Sequence, residues 1–429
     1  MKKILTMLSL FLLIFTTIAF ASPSLDLSAN SVILIDTTTG QTVYEKESNT
    51  KQYPASLTKI LTAIITLEEC QLTDSVKVSE NAVMSIPAGS SIGYFQAGET
   101  VTVEQLLHAL LLPSGNDAAN ILAEHIAGSN ASFAAMMNTK AKELGANDSN
   151  FVNPHGLHDE NHYTTAHDLA VIAKYAMQNE TFRKIVSTKT YTMPNTSTYE
   201  GNERKYKNTN LLLFEEAVYP NTKSYYYEYV TGIKTGYTKQ AGNTLVASAK
   251  KDNMELICVL LNIETSDENS NRYLDAKKLF TYGFNNYSLL ELNVELPDVD
   301  IDNAKSNTKL QLQIENTGYV LGTSSTDTTN LQPKLNLKEG LVAPIKKGDN
   351  VGSVEFEIDG KLYEYNLTAK EDVLVKASFG EIILNIFKFI GKLILYVFIS
   401  LVIFAILVRV VRKSMKKKKK RSKARRYKN

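Results

Sequence analysis

The feature that most constrains this chain is an apolar run near its C-terminus. Leu393 to Val408 contains no charged residue, and Ser400 is the only small polar residue in it. Extended to residues 389–411, the run reaches roughly the 20 residues that a helix needs to cross a bilayer. Thirteen Lys and Arg residues and no acidic residue follow from position 409 onward. By the positive-inside rule, we expect 389–411 to be a transmembrane anchor and 412–429 a basic cytoplasmic tail that contacts anionic lipid.

The N-terminus has the pattern of an export signal. Lys2 and Lys3 precede an apolar stretch from Ile4 to Phe20, and residues 19–21 have the small-x-small form of a cleavage site. We expect 1–21 to be a signal peptide, with an uncleaved anchor helix as the alternative. Together with the C-terminal anchor, this pattern predicts a single-pass protein of the cell membrane whose body lies on the outer, cell-wall side.

Length and charge limit what the body between these segments can be. At 429 residues the chain is long enough for two folded domains plus accessory segments. Residues 22–380 carry 30 Lys and Arg against 44 Asp and Glu, so the body is acidic and the basic charge is concentrated in the tail. An acidic body argues against nucleic acid as a partner. Cys70 and Cys258 lie within apolar segments, and we expect buried free thiols there rather than a disulfide.

The periodicity of the apolar residues predicts an α+β fold. Strand patterns at 31–36 and 41–45 form a hairpin, and three more follow late in the body, at 228–238, 243–250 and 253–263. Helical patterns lie at about 56–69, 102–112, 117–127, 131–144, 165–178 and 269–284, two of them opened by capping boxes, Thr102 with Gln105 and Thr165 with Asp168. This order predicts helices packed on an antiparallel sheet over 25–286. Short alternating strands over 290–372 predict a small all-β sandwich.

A Ser-x-x-Lys motif at Ser56 to Lys59 is the first element that carries chemistry. Four other Ser-x-x-Lys matches occur in the chain, so the motif alone has little weight. An apolar helical pattern follows this one, which predicts Ser56 in the first turn of a buried helix and Lys59 one turn later on the same face. A serine hydroxyl is a weak nucleophile without a base, and a lysine whose pKa is lowered by burial or by a second cation can be that base.

Two further short motifs supply the groups that such a serine needs. Ser114-Gly115-Asn116 lies between two helical patterns, where a turn can present a hydroxyl that relays a proton and an amide that binds a substrate carbonyl. Lys234-Thr235-Gly236 occurs once, late in a strand pattern, and offers the second cation, a hydroxyl for a carboxylate and room for a substrate along the strand. Each motif alone is more simply a helix start, a turn or a strand end. The three together, in this order, indicate a serine acyl-transfer site.

These motifs and the stretches around them resemble the low-molecular-weight penicillin-binding proteins, the penicillin-recognising serine D-Ala-D-Ala carboxypeptidases. The similarity covers about residues 25–286 and is carried by Tyr53–Lys59, Leu112–Ala119, Asn153–Leu157, His162–Leu169 and Gly232–Thr238. The trailing β-domain and the anchor match the layout of the family. The resemblance implies a β-lactamase/transpeptidase-like domain, a small all-β sandwich domain and a C-terminal transmembrane helix.

The resemblance also implies a reaction, in which Ser56 attacks the peptide bond before a terminal D-alanine and forms an acyl-enzyme that water hydrolyses. The implied roles are Lys59 as general base, Ser114 as proton relay, Asn116 as a substrate and network partner, Lys234 and Thr235 as carboxylate ligands beside Gly236, Arg272 as a further group near that carboxylate, and the backbone N–H groups of Ser56 and Tyr237 as the oxyanion hole. The implied partners are peptidoglycan stem peptides ending in D-Ala-D-Ala, with β-lactams as covalent inhibitors. No cofactor and no metal is implied.

Two departures from the family pattern stand near the third motif. Residues 219–229, with three consecutive tyrosines, look like an insertion, which is either a surface loop or an aromatic rim of the cleft. Tyr237 stands where some relatives carry His, and we expect this difference to affect the rate at which the acyl-enzyme is hydrolysed.

The sequence leaves several alternatives to this interpretation open. A D,D-endopeptidase acting on cross-links would use the same site. A β-lactamase is disfavoured because no Glu-x-x-Leu-Asn stretch lies between the second and third motifs. A penicillin-binding sensor or a wall-peptide scaffold would need no turnover. A metal site is suggested by four closely spaced histidines, but their spacing fits no standard ligand signature, and structural histidines are favoured at His155, His158, His162 and His167.

Overall fold

The structure, a computed structural model, describes residues 25–426 except 197, 200–202, 219–222, 265–270, 293, 306–307, 316–317, 329–330 and 377–378. The signal peptide predicted at 1–21 lies outside the described residues. The chain divides into two units: one runs up to Glu291 and includes Tyr319–Thr326, and the other contains Leu292–Gly318 and the chain from Asp327 onward.

The strands and helices have the following bounds. The strands are β1 (Ala29–Asp36), β2 (Thr42–Lys46), β3 (Ser75–Lys77), β4 (Thr100–Thr102), β5 (Thr190–Met193), β6 (Arg204–Lys207), β7 (Val230–Thr238), β8 (Gly242–Lys251), β9 (Met254–Ile263), β10 (Ser288–Glu291), β11 (Leu312–Ile314), β12 (Tyr319–Gly322), β13 (Lys334–Leu337), β14 (Asn350–Ile358) and β15 (Lys361–Ala369). The α-helices are α1 (Lys59–Glu69), α2 (Glu80–Met84), α3 (Val103–Leu111), α4 (Asn116–Ala127), α5 (Asn130–Glu143), α6 (Ala166–Ala176), α7 (Glu180–Ser187), α8 (Asn271–Asn286) and α9 (Phe379–Arg426). Two short 3-10 helices, Ala55–Thr58 and Leu211–Leu213, complete the set among these residues.

The first unit is built on a five-stranded antiparallel sheet in the order β2-β1-β9-β8-β7. The central strand β9 is buried at nearly every position because helices cover both faces of the sheet. Its side chains alternate between two cores: Ile257 and Val259 face the core that includes α1 and α6, and Leu256 and Cys258 face the core under α8. The predicted α+β arrangement is confirmed, and β7 lies at the edge of this sheet.

The helices of the first unit bury the start of α1. Every residue of α1 from Lys59 to Thr66 is buried, as expected for a helix that is packed on all sides. Thr102 and Gln105 form the predicted capping box at α3. At α6 only half of the predicted box forms: Thr165 accepts from the Asp168 N–H, but the Asp168 carboxylate instead accepts from the N–H of Asp148 and the Ser149 hydroxyl.

The two cysteines are free, as expected from their apolar surroundings. Cys258 is fully buried on β9, and this burial raises the pKa of its thiol. Cys70 is half-buried directly after α1, where burial likewise raises the pKa of the thiol. Both thiols are therefore poor nucleophiles, consistent with a purely structural role.

The second unit contains a four-stranded antiparallel sheet in the order β11-β15-β14-β13. Its inner face buries Val354, Phe356 and Leu367. The other pairings in the described part of this unit are single bridges, such as Val299 with Leu310 and Ile345 with Val373. The unit ends in α9, and the most apolar 18-residue window within Ile386–Lys417 has a mean hydropathy of 2.8 and no buried residue. By length and composition this helix can cross a membrane.

Candidate active site

The turn that carries Ser56 is held in a strained conformation. Ser56 lies in the 3-10 helix that leads directly into α1. Ala55 has a φ of +49°, a left-handed conformation that costs a residue with a side chain roughly 1–2 kcal/mol. Its carbonyl accepts a hydrogen bond from Thr58 Oγ1 at 2.8 Å and packs on Gly156, where an added Cβ would overlap the carbonyl oxygen. These contacts over-determine the turn and thereby fix the direction of the Ser56 side chain.

Lys59 bonds directly to the serine and to two other groups. Its Nζ lies 3.0 Å from Ser56 Oγ, 2.6 Å from Asn116 Oδ1 and 2.7 Å from the His155 carbonyl oxygen. Because amide and carbonyl oxygens only accept, a neutral amine would use both of its protons there and direct its lone pair at the Ser56 hydroxyl. Burial lowers the pKa of Lys59 well below its ordinary value, and the Lys234 cation lowers it further. The geometry therefore suits Lys59 to take the Ser56 proton.

The turn from Ser114 to Asn116 presents two polar groups beside Lys59. Asn116 begins α4 and bonds to Lys59, as described above. Ser114 has a φ of +68° and is 5% exposed, and its Oγ has no hydrogen-bond partner among the described residues. A buried, unsatisfied hydroxyl in a strained turn calls for a functional explanation. Its bond to the serine or to either lysine, expected for a relay, is not made in this structure.

The Lys-Thr-Gly motif lies on β7, at the edge of the sheet, and passes beside the nucleophile. A Cβ on Gly236 would meet Thr244 Oγ1 and would lie 3.1 Å from the backbone nitrogen of Ser56. The absence of a Cβ at Gly236 therefore allows the Ser56 turn and Thr244 to approach this strand closely. The close approach brings the backbone of β7 and the N–H of Ser56 together, where two N–H groups can stabilise one oxyanion.

The two cations of this side of the cleft are buried. Lys234 is 1% exposed, and burial first and the Arg272 charge second lower its pKa to about 7. Arg272 lies in the first turn of α8 and donates from Nη1 to the Gly236 carbonyl oxygen at 3.0 Å. Tyr237, the next residue of the strand, is 55% exposed. A region of positive potential thus follows β7 and suits a carboxylate ligand.

The site includes Thr209, a threonine that no sequence motif indicates. Thr235 Oγ1 donates to Thr209 Oγ1 at 2.6 Å. The Thr209 N–H donates to the Leu112 carbonyl oxygen at 3.2 Å, and the Tyr273 hydroxyl donates to the Thr209 carbonyl oxygen at 3.0 Å. Thr209 therefore ties the carboxylate side of the site to α8 and to the chain before Ser114. Its flanking asparagines are typical of a turn, and no local pattern indicates these contacts.

The histidine-rich stretch lies against the Ser56 turn. His162 Nε2 is 2.8 Å from Thr58 Oγ1, and the Val152 N–H donates to His162 Nδ1 at 3.2 Å. Because Thr58 gives its proton to Ala55, the Nε2 atom of His162 carries the ring proton. Burial lowers the pKa of His162 to about 4 and that of His155 to about 3, so both rings are neutral.

The same stretch does not assemble into a metal centre in the part of the chain that the structure describes, where no group of three or more His, Cys, Asp or Glu side chains is placed to hold an ion. His158 packs edge-on against Tyr53, with ring centroids 4.6 Å apart. His167 is half-exposed beside Asp168. Each ring therefore has a structural contact that accounts for it.

The described part of the tyrosine-rich segment, 223–229, packs on α8. Tyr225 stacks on Tyr273 with centroids 5.2 Å apart, and Tyr227 stacks on Phe280 at 5.6 Å. Lys277 Nζ donates to the Tyr226 carbonyl oxygen at 3.0 Å. The segment therefore covers the helix that carries Arg272.

Comparisons with known proteins agree with this geometry. Residues 17–265 match the family model for D-alanyl-D-alanine carboxypeptidases, and residues 284–374 match that for the C-terminal domain of penicillin-binding protein 5. The chain is 34% identical over 396 residues to the D-alanyl-D-alanine carboxypeptidase DacF of Bacillus subtilis (strain 168), with 88% of this chain and 96% of that protein covered.

Solved structures give the same result over most of the chain. Penicillin-binding protein 5 from Haemophilus influenzae aligns with a TM-score of 0.67 at 30% identity, over 82% of this chain and 99% of that one. The DD-transpeptidase of Streptomyces K15 aligns with a TM-score of 0.55 at 33% identity, over 62% of this chain and 99% of that one. The resemblance predicted from the three motifs is confirmed. The chain belongs to the D-alanyl-D-alanine carboxypeptidase family, a family of penicillin-binding serine hydrolases.

Proposed function

We propose that this D-alanyl-D-alanine carboxypeptidase removes the terminal D-alanine of peptidoglycan stem peptides through an acyl-enzyme on Ser56. The observation that carries the proposal is the position of the Lys59 amine, 3.0 Å from Ser56 Oγ and with two obligate acceptors for its own protons. Such a pair generates the nucleophile where it is needed, because the lone pair of the amine faces the hydroxyl that it deprotonates.

Acylation begins with transfer of the Ser56 proton to Lys59 as Ser56 Oγ attacks the carbonyl carbon of the penultimate D-alanine. Negative charge develops on the carbonyl oxygen, and the backbone N–H groups of Ser56 and Tyr237 stabilise it. The carbon–nitrogen bond then breaks, and the leaving amine takes a proton that Ser114 relays from the Lys59 ammonium. The buried Ser114 hydroxyl, with no partner of its own among the described residues, supports this relay.

The terminal carboxylate of the substrate binds to Lys234 and Thr235, with Arg272 contributing charge from behind the strand. Lys234 forms no ion pair among the described residues, and its pKa is lowered to about 7, so an anionic ligand beside it would favour the charged form. In the second half-reaction, water attacks the ester carbonyl and gives a proton to the now neutral Lys59. The bond between Ser56 Oγ and the acyl carbon breaks, and the Lys59 ammonium returns its proton to Ser56 Oγ, which restores the hydroxyl and the neutral amine.

The protein is anchored in the cytoplasmic membrane by α9, with its catalytic unit on the cell-wall side, where the stem peptides are. The candidate span within Ile386–Lys417, with its uncharged run Leu393–Val408, and the basic residues that follow this run support the arrangement. β-Lactams acylate Ser56 at the same site as covalent inhibitors.

A fluorescent penicillin, followed by peptide mapping, tests the assignment of the nucleophile. We expect a single labelled peptide that contains Ser56, and no label on the Ser56→Ala variant. Release of D-alanine from a muramyl pentapeptide should be lost in the same variant. The control is Ser132→Ala, which removes an exposed hydroxyl on α5 and should keep both activities. Label on another peptide would refute the nucleophile assignment.

The alternative bond, a D-alanyl cross-link, is distinguished by substrate. If kcat/KM for a cross-linked muropeptide dimer exceeds that for the pentapeptide, the enzyme is chiefly a D,D-endopeptidase. Both activities should disappear together in Ser56→Ala, because they share one nucleophile.

A further inference from the structure

The loop at residues 86–99, here the rim loop, holds one exposed aromatic residue in an unfavourable backbone conformation. Tyr94 has a φ of +61°, a region that bulky residues rarely occupy, and its side chain is 64% exposed. No burial of the ring offsets the cost of this conformation. Residues held in strained conformations are concentrated at ligand-binding sites. The strained and exposed Tyr94 is therefore a candidate for a contact with a ligand.

Buried polar side chains fix the backbone on both sides of Tyr94. The two oxygens of the Asp117 carboxylate accept from the N–H groups of Gly93 and Phe95, at 2.7 and 3.3 Å. The Tyr206 hydroxyl donates to the Gly93 carbonyl oxygen at 2.7 Å, and Arg204 Nη1 donates to the Tyr94 carbonyl oxygen at 3.3 Å. Asp117, Tyr206 and Arg204 are all at most 4% exposed. The peptide groups are therefore rigid, and the ring alone faces solvent.

The same contacts place Tyr94 next to the Ser114–Asn116 turn. The N–H of Asn116 donates to the Ser91 carbonyl oxygen at 2.9 Å. A Cβ on Gly115 would lie 3.0 Å from the backbone nitrogen of Gly93, so these two chains touch. The Cα of Tyr94 is one residue, roughly 3.8 Å, beyond that contact. Tyr94 thus lies directly beside the turn that carries Ser114 and Asn116.

The edge strand β7 and the Ser114–Asn116 turn both approach the Ser56–Lys59 pair: Gly236 of β7 lies beside the Ser56 backbone nitrogen, and Asn116 bonds to Lys59. We infer that a peptide whose scissile carbonyl lies at Ser56 passes between these two segments, which are then the walls of the cleft. An extended peptide can add to the free edge of a sheet through its backbone, while its side chains are recognised by whatever lines the opposite wall. With the carboxylate at Lys234 and the scissile carbonyl at Ser56, the residues that precede the D-alanyl-D-alanine dipeptide continue along this cleft. An exposed, rigidly mounted tyrosine is suited to contact an aliphatic side chain.

We propose that Tyr94 is a specificity-determining residue that packs on the residue immediately before the D-alanyl-D-alanine dipeptide and selects peptides with a long aliphatic side chain there. This inference rests on the proposed function of the Ser56 site. Because the backbone around Tyr94 is already rigid, packing of the substrate on the ring requires little loss of conformational entropy in the rim loop.

The test compares two substrates that differ only in that residue. Full-length protein in detergent is assayed for D-alanine release from diacetyl-L-lysyl-D-alanyl-D-alanine and from acetyl-D-alanyl-D-alanine, which lacks the lysyl residue. We expect Tyr94→Asn to lower kcat/KM for the longer peptide by about fivefold to tenfold and to leave that for the shorter peptide unchanged. Asn tolerates the left-handed conformation, so the backbone is retained. Tyr94→Phe keeps the aromatic ring and should therefore keep the wild-type ratio of kcat/KM between the longer and the shorter peptide.

A matched control and the rate of labelling by penicillin separate the possible failures. Met84→Ala removes another exposed apolar side chain, which is 75% exposed at the end of α2. This variant should leave kcat/KM unchanged for both peptides. If kcat/KM of Tyr94→Asn equals that of wild type for both peptides, or falls by the same factor for both, the assignment of Tyr94 is wrong while the proposed function stands. If wild type is labelled by penicillin but releases D-alanine from neither peptide, both the proposed function and this inference are overturned.

Discussion

At the scale of single residues, the site depends on two buried lysines, neither of which forms an ion pair with a carboxylate among the described residues. Burial lowers the pKa of both Lys59 and Lys234, and each lysine is further affected by a neighbouring cation. The two groups need opposite states for the proposed reaction, because Lys59 must be neutral to accept a proton and Lys234 must be charged to bind a carboxylate. Desolvation thus favours the neutral state that Lys59 needs. For Lys234 it opposes the charged state, which the carboxylate of the substrate has to favour when it binds.

Replacing Lys59 by Arg should nearly abolish acylation although the charge and much of the packing are kept. A guanidinium does not lose its proton in this pH range and cannot act as the base for Ser56. We expect the second-order rate constant for acylation by benzylpenicillin to fall by roughly 10²–10⁴-fold, the range for a lost general base. Stopped-flow labelling measures it, and thermal unfolding shows whether the variant is folded. A folded variant that acylates at the wild-type rate would exclude Lys59 as the base.

The pH dependence of kcat/KM should be bell-shaped, with each limb due to one lysine. On the acid side activity falls as the pH drops through the lowered pKa of Lys59, because the protonated amine cannot accept from Ser56. On the alkaline side activity falls as the pH rises above about 7 and Lys234 loses its proton. A bound carboxylate raises the pKa of Lys234, so the alkaline limb of kcat should lie at higher pH than that of kcat/KM.

Lys234→Arg is the variant that checks this assignment. A guanidinium stays charged at all relevant pH values, so the alkaline limb of kcat/KM should move up by more than about one pH unit while the acid limb remains. If the alkaline limb stays where it is in wild type, another group titrates there.

At the scale of elements, the position of Ser56 depends on a contact between two segments that are distant in sequence. Gly156 has a φ of +84° and no room for a Cβ, which would overlap the Ala55 carbonyl oxygen. We expect Gly156→Ala to displace the 3-10 turn, lower the free energy of unfolding by well over the ~1–2 kcal/mol of a left-handed alanine, and abolish penicillin labelling.

Gly145→Ala is the matched control for this change. Gly145 has a φ of +89°, and no atom lies within 4 Å of the position that a Cβ would take. The variant is therefore destabilised by the left-handed backbone conformation alone, without a steric overlap. It should lose about 1–2 kcal/mol in chemical unfolding and keep wild-type labelling. Equal stability loss and equal labelling in the two variants would show that the contact with Ala55 has no special role.

A buried ion pair connects the rim loop to β6. Arg204 Nη2 and Glu99 Oε1 are 2.5 Å apart, with side chains 2% and 0% exposed. Burial acts to raise the pKa of Glu99, but hydrogen bonds from Arg204 and Thr196 outweigh it and hold that pKa below its usual range. Removing one partner of such a pair leaves an uncompensated buried charge.

Arg204→Met should therefore lower the free energy of unfolding by about 3–5 kcal/mol. Lys205→Met, the next residue of the same strand, interrupts only the exposed pair with Glu203 and should change the stability by less than about 1 kcal/mol. Urea unfolding followed by tyrosine fluorescence gives both values. Similar losses in the two variants would contradict a special contribution of the buried pair.

The sequence predicted the elements whose apolar period extends over several turns or a whole strand. The strands β7 to β9 and the helices α1, α3, α4, α5, α6 and α8 were all found this way, with bounds correct to within a few residues. Most missed elements are short: β3 to β6 have three or four residues each and α2 has five, too few to show a period. The helix α7, with eight residues, was also missed. The reciprocal half of the cap at α6 was wrong because Asp168 has tertiary partners that compete for its carboxylate.

The candidate site divides in the same way. Ser56 and Lys59 are one turn apart, so their proximity follows from the helix period alone. Asn116 and β7 could be associated with them only through the resemblance to a family. Nothing local reveals that Arg204 reaches Glu99 across 105 residues, or that Thr235 bonds to Thr209. Such contacts are set by tertiary packing, which a periodic pattern does not encode.

At the scale of the whole molecule, charge and hydropathy are strongly segregated. The body is acidic, α9 has no charged residue along Leu393–Val408, and the basic residues follow at the C-terminal end. An acidic body is repelled by an anionic membrane surface, whereas an apolar span followed by a basic tail is retained by the bilayer. Attachment should therefore depend on α9 alone, with no contribution from the charge of the catalytic unit.

A chain that ends at Lys376 tests this dependence. We expect the full chain to remain with membranes after washes with about 1 M salt and with alkaline carbonate, because burial of an apolar span in lipid is not screened by ions. The shortened chain should be soluble and should react with benzylpenicillin at the rate of the full chain, since no described catalytic group lies in α9.

A third chain, ending at Val411, keeps the span and loses the tail. It should stay in the membrane fraction, although fewer molecules should have their catalytic unit accessible to protease on the outer side, because the basic residues that orient the span are gone. Release of the full chain by salt alone would show that its attachment is electrostatic and that α9 does not cross the bilayer.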